Sequence, residues 1–272
     1  MAFDINNFVI DRVLRGTMLS TADDSVLWAI NQIEDPQITV NADSTDAVDA
    51  IGVPIMTFER AKNAEFSASN SLIDFGLLAA QSGGQKKIAS TGDTILVPHF
   101  QEFTWVTGTD VDLDYTPVGT SGAEIAYIYK LNGDGTLGQR YEAAASATTG
   151  KFKVSAATKK VTPPTDVTTA EKAWCVYYYT ADGTTDLGAI SVTNDAKNFP
   201  TAGKFIMEVL GADTCDISTK YYAYIVFPQA KLMSDFDVTF STDGKHPFTI
   251  KAMQEYCDHE KRLFSIVIPE SE

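Results

Sequence analysis

Apolar and polar residues alternate along most of this chain with the period of two that marks half-buried strands. Residues 8–14, 26–33 and 37–40 open it as apolar-rich strands, and 94–98 and 103–108 resume the pattern further on. Near the C-terminus, 204–210 and 221–227 are rich in aromatic and branched side chains. Phe236, Val238 and Phe240 then alternate with Asp237 and Thr239, and the turn Ser241-Thr242-Asp243-Gly244 leads to Phe248, Ile250 and Ala252. That pattern predicts a half-buried hairpin, with 263–268 as a closing strand. Between about 112 and 200 the texture changes to short strands (125–131, 151–155, 174–180) separated by Gly, Thr and Asp turns. Such spacing suggests a sandwich or barrel, and Pro163-Pro164 keeps 161–172 out of any central strand.

One stretch breaks the period. Residues 53–84 read as a short strand, a tight turn, a second strand and a helix over about 70–83. Ser71 and Asp74 have the spacing of an N-terminal capping pair, and Gly83-Gly84 supplies the stop. Leu72, Phe75 and Ala79 form one apolar stripe, with Ile73, Leu77 and Ala80 beside it, while Leu78 falls with Asp74 and Gln81 on the face left for water. A helix apolar nearly all round is covered from more than one side. Leu72, Phe75 and Leu78 are therefore candidates for contact with a neighbouring subunit. The expected fold is mainly β, a β-sandwich or barrel subunit with this single flanking helix. A core of 1–111 and 201–272 would carry an inserted β lobe at 112–200.

Charge narrows the function more than fold does. The net charge of −15 argues against a protein that grips nucleic acid or an anionic membrane. No Lys, Arg or His occurs from Gly16 to Glu59, where eight acids lie. Residues 41–49, with Asp43, Asp46 and Asp49, read as an exposed acidic loop. The start resembles no secretory signal, and no apolar run is long enough to span a bilayer. Three widely spaced cysteines, Cys175, Cys215 and Cys257, form no disulfide framework and fit a reducing cytoplasm.

Candidate chemistry is thin. Gly133-Asp134-Gly135-Thr136-Leu137-Gly138 matches the dinucleotide fingerprint, but no crossover helix or terminal acid follows, so a hairpin turn on Asn132-Gly133 is the better reading. Asp110, Asp112 and Asp114 alternate like the start of a calcium loop, yet the sixth position is Tyr115 and the twelfth Ser121. His246, Cys257 and His259 lack the spacing of a zinc site. No serine elbow marks a nucleophile, although paired carboxylates on strands leave glycoside hydrolysis open. The run Trp174–Tyr179 reads as a core strand, with an aromatic sugar platform as the alternative. The expectation is no enzyme, no metal and no cofactor.

Two segments carry a resemblance: PIMTFERAKNAEFSASNSLIDFGLLAAQSGG and KYYAYIVFPQAKLMSDFDVTFSTDGKHPFTIKAMQEYCDHEKRLFSIVIPE. Together they resemble the tail tube, or major tail, proteins of long-tailed bacteriophages. The resemblance implies a virion protein assembled in the host cytoplasm as a homo-oligomer. Its sheets would join in hexameric rings around a shared inner β-barrel, and the rings would stack into a tube that delivers DNA and meets other tail proteins. Double-stranded DNA carries about one charge per 1.7 Å. An acidic wall would keep it moving, and Asp43, Asp46 and Asp49 are candidates for that wall if they lie within a Debye length, about 8 Å. The alternatives are another virion β-sandwich, such as a head-decoration, tail-terminator or baseplate protein, or a carbohydrate- or surface-binding module.

Overall fold

The computed structural model describes residues 5, 7–254 and 261–270, and of Asp216 and Ile217 only the backbone. The chain divides into two compact units, residues 1–86 with 192–272, and residues 87–191. The first opens with β1 (Phe8–Ser20), β2 (Val26–Ile30), β3 (Ile33–Val48), β4 (Pro54–Asn70) and α1 (Phe75–Gln81). The second holds β5 (Lys87–Ile88), β6 (Ile95–Trp105), β7 (Val111–Asp112), β8 (Tyr127–Leu131), β9 (Leu137–Ala143), β10 (Lys151–Ser155), β11 (Lys160–Thr162), β12 (Glu171–Ala181) and β13 (Ile190–Ser191). The first unit resumes with β14 (Ala202–Asp213), β15 (Asp216–Leu232), β16 (His246–Ala252) and β17 (Ser265–Val267). The fold is mainly β with one helix, as the alternation predicts.

In the first unit the strand order is β2-β1-β14-β15-β16-β4-β3, with β17 on β15. Two residues join β2 to β3, the strands at the two ends of that order, so the sheet curls until it is nearly closed. Alternation fills the inside. Phe205, Met207 and Val209 of β14 and Phe248, Ile250 and Ala252 of β16 are buried with Phe66, Phe227 and Trp28. Phe66 lies 5.3, 6.3 and 5.9 Å, centroid to centroid, from Phe205, Phe227 and Phe248.

The helix is shorter than its sequence suggests. Asp74, not Ser71, is the N-cap, and its carboxylate accepts from the Leu77 amide at 2.7 Å. Leu72 thus precedes the helix. Gln81, expected in water, is buried: its amide donates to the Pro247 carbonyl at 3.1 Å, and its oxygen meets Nε2 of buried His246 at 2.5 Å. With the amide oriented by Pro247, Nε2 must carry the hydrogen. Burial lowers the His246 pKa, so the ring holds α1 to β16 as a neutral donor.

Three other expectations change. The strand-turn-strand reading of 53–70 becomes one strand, β4. Residues 41–48 are not a loop but the outer half of β3, and Asp49 opens the turn to β4. The hairpin expected from Phe236 to Ala252 keeps only its second strand: β16 pairs with β4 along one edge and with the end of β15 on the other, which leaves 235–240 no ladder to join. Its alternation is real, but Phe240 stays exposed.

In the second unit the order is β6-β12-β8-β9-β10-β11-β7. β6 and β12 pair antiparallel over their whole lengths, from Glu171 opposite Trp105 to Ala181 opposite Ile95. That pairing holds β6 in the second unit, and the pairing of β5 with β13 (Lys87 opposite Ser191) holds its start and end, whereas the sequence reading starts the inserted lobe at 112. Pro98 is tolerated because β6 is an end strand. The two ends of the order meet through a side chain. Gln101 donates to the Asp112 carbonyl at 3.1 Å, and its oxygen accepts from the Asp114 amide at 3.3 Å and the Tyr177 hydroxyl at 3.0 Å. Burial pushes the Tyr177 hydroxyl up to about 12. Replacing Gln101 by Leu strands those groups, so urea unfolding of the second unit should show a loss of about 2–3 kcal/mol. An unchanged midpoint would show that the seam carries no weight.

Candidate assembly surface

The outer halves of β3 and β4 form an arm. Residues 41–63 are exposed without a break, whereas Ala64, Phe66, Ala68 and Asn70 further along β4 are buried. One strand therefore has one end in the core and the other in solvent. From Val40 to Val48 the arm reaches roughly 26 Å at about 3.3 Å per residue. Its tip is held by Asp49, whose carboxylate accepts from the amides of Ile51 and Val53, both at 2.9 Å. Gly52 supplies the positive φ (+86°) that the turn requires.

The arm is two-faced. Up to Lys62 its register continues the core side, with Phe66 opposite Ile38, Ala64 opposite Val40 and Lys62 opposite Ala42. The next pair is Ser44 with Glu59, so β4 uses one residue more than β3 and the ladder bulges. Beyond the bulge Thr45, Ala47, Met56 and Phe58 share one side, and Ser44, Asp46, Thr57 and Glu59 the other. The Thr57 hydroxyl donates to Asp46 at 2.7 Å across the polar side. Phe58 and Met56 on the first side, and Ile51 at the tip, lie 50%, 56% and 85% exposed. A two-stranded ribbon is marginally stable at best in water, and this one leaves its apolar side exposed.

The three candidate acids do not share a face. Asp46 sits on the polar side, Asp43 falls by the two-residue period with Thr45 and Ala47, and Asp49 is occupied in the turn. Of the candidate helix residues, Leu72 and Phe75 are exposed and Leu78 is half-buried. Sequence reasoning missed Met56 and Phe58, because the bulge interrupts the alternation. The available signal is the Asp49–Gly52 turn followed by the apolar run Val53 to Met56.

The other motifs resolve into structure. Asn132 to Thr136 is the turn of the β8–β9 hairpin, with Gly135 at positive φ and the Asp134 carboxylate accepting from the Thr136 amide and hydroxyl at 3.0 and 2.6 Å. Asp112 pairs with Lys160 at 3.2 Å and Asp114 with His99 at 2.9 Å. His246 is in the core; Cys257 and His259 lie outside the described residues. Cys175 is buried, and burial pushes its thiol up to about 12. The aromatic run is a core strand on one side only. Cys175 and Tyr177 point inward, while Trp174, Val176 and Tyr178 share an outer face with Phe100.

A family model described as the YomU/Tube protein family matches residues 8–264. The chain belongs to the YomU/Tube protein family. Membership implies a structural, non-enzymatic role as a phage tube protein, a tail component that assembles with other phage tail proteins. No curated protein matches it. The bounds of the match to the YomU/Tube family enclose residues of both units. No helix among the described residues of this YomU/Tube protein is long and apolar enough to cross a membrane.

Proposed function

We propose that the chain is the repeating subunit of a tail tube, assembled in the host cytoplasm as stacked hexameric rings through which DNA is delivered. The observation that carries this reading is the arm. It is a ribbon with one apolar side, extended beyond the body of its unit and unsupported there, and association with another copy would stabilise it. Family membership supports a tube role, and the edges of β2 and β3 that pair with no strand among the described residues suit the joining of a shared barrel. The exposed Leu72 and Phe75 support the helix segment as part of the subunit contact. Asp43, Asp46 and Asp49 are proposed as the repulsive acids of the wall. Asp46, beside Glu59 on the polar side, is best placed to face DNA, and the net charge of −15 favours passage over retention.

Negative-stain electron microscopy of the purified chain at rising concentration tests the proposal. Sixfold rings or stacked tubes are the expected outcome. A chain that stays monomeric at every concentration overturns it.

A further inference from the structure

The arm needs a receptor, and the first unit carries a groove suited to it. Between β2 and α1 lies a cavity of about 580 Å³ lined by Val26, Leu27, Ala79, Ala80, Pro200 and Leu232. Gly76, Gly83 and Gly84 keep its helix side low. Val26 and Leu27 are exposed within it, and β2 ends the strand order with one side free of any strand partner among the described residues. We infer that this groove receives the apolar side of the arm (Met56, Phe58 and the Ile51 tip) from a second copy of the chain. The inference rests on the tube reading and names the partner surface within it.

Three features select a second copy as the occupant. Residues 41–63 are exposed along their whole length, so no described part of the same chain covers the apolar side of the arm. Charge is complementary: residues 41–63 carry four acids against two cations, and Lys86 is the one charged residue lining the groove. The surfaces match in kind as well, since an apolar ribbon edge meets an apolar trough beside an unpaired strand. Arm and groove are different patches of one chain, so their contact is heterologous and propagates from copy to copy without closing on a pair.

Cross-linking of mixed chains, each with one introduced cysteine and only the buried Cys175 besides, tests this. One chain carries Phe58→Cys and the other Leu27→Cys, each with Cys215 and Cys257 replaced by serine, and the mixture is treated with a short bismaleimide. Covalent dimers in the mixture, absent from either chain alone, are the expected result. Tubes visible by microscopy without such dimers overturn the groove assignment and leave the tube reading standing; no assembly by the unsubstituted chain overturns both. Leu27→Glu gives a second readout, because a carboxylate in the groove should raise the concentration needed for assembly by at least about tenfold while thermal unfolding stays unchanged. Normal assembly by that variant also overturns the groove assignment.

Discussion

Removing the arm abolishes tube formation and leaves a folded subunit. The variant is specified by the register: Ala42 stands opposite Lys62, so residues 43–61 can be replaced by Asn-Gly, whose backbone suits a two-residue hairpin turn. Everything deleted is solvent-exposed, and the buried part of β4 begins at Ala64. Stability of the remaining unit should therefore stay within about 0.5 kcal/mol. Assembly should be lost altogether, because the deletion removes Met56, Phe58 and the Ile51 tip at once. Sedimentation velocity with electron microscopy checks both halves. A shortened chain that still forms long tubes would show that the arm is not the link between rings.

The second large effect concerns the same strand at its other end. Phe66→Ala should cost about 3–5 kcal/mol, the usual range for emptying a buried aromatic site. Phe66 is fully buried among Phe205, Phe227 and Phe248. Against a total stability of about 5–15 kcal/mol, that loss moves the urea midpoint of the first unit far down. Phe58→Ala is the internal control. It lies eight residues away on the same strand, half exposed, and should change monomer stability by no more than about 0.5 kcal/mol while weakening assembly. Equal losses in both variants would contradict the division of β4 into a core half and an arm half.

That division explains what was legible in the sequence. Strands with a clean inside and outside, such as Phe205–Val209 and Phe248–Ala252, were readable because one face packs on a core. β6 was split in the reading because two of its inward residues are His99 and Gln101, polar groups used to join strands and therefore invisible to an apolar pattern. The outer half of β3 looked like a loop for a related reason. With no core on either side, Asn41 to Val48 has no apolar period to display, and its pairing is fixed by the Asp49 turn and by β4. The helix was overextended because Leu72 and Ile73 continue the apolar run, while the side chain that sets its start is Asp74. The candidate acids were correctly seen as exposed, but which side each occupies depends on the bulge, and composition carries no trace of that.

The bulge between Ala42 and Ser44 has a consequence for how such a chain can change over time. It turns the apolar side of the arm away from the side that faces the core, and the ladder repeats every two residues. Adding or removing a single residue on each strand turns Met56 and Phe58 to the opposite side, while adding or removing two restores them. An arm of this kind is a ruler whose graduations are about 6.6 Å apart. If the arm links copies as proposed, the distance between them can be inherited only in whole steps of that size.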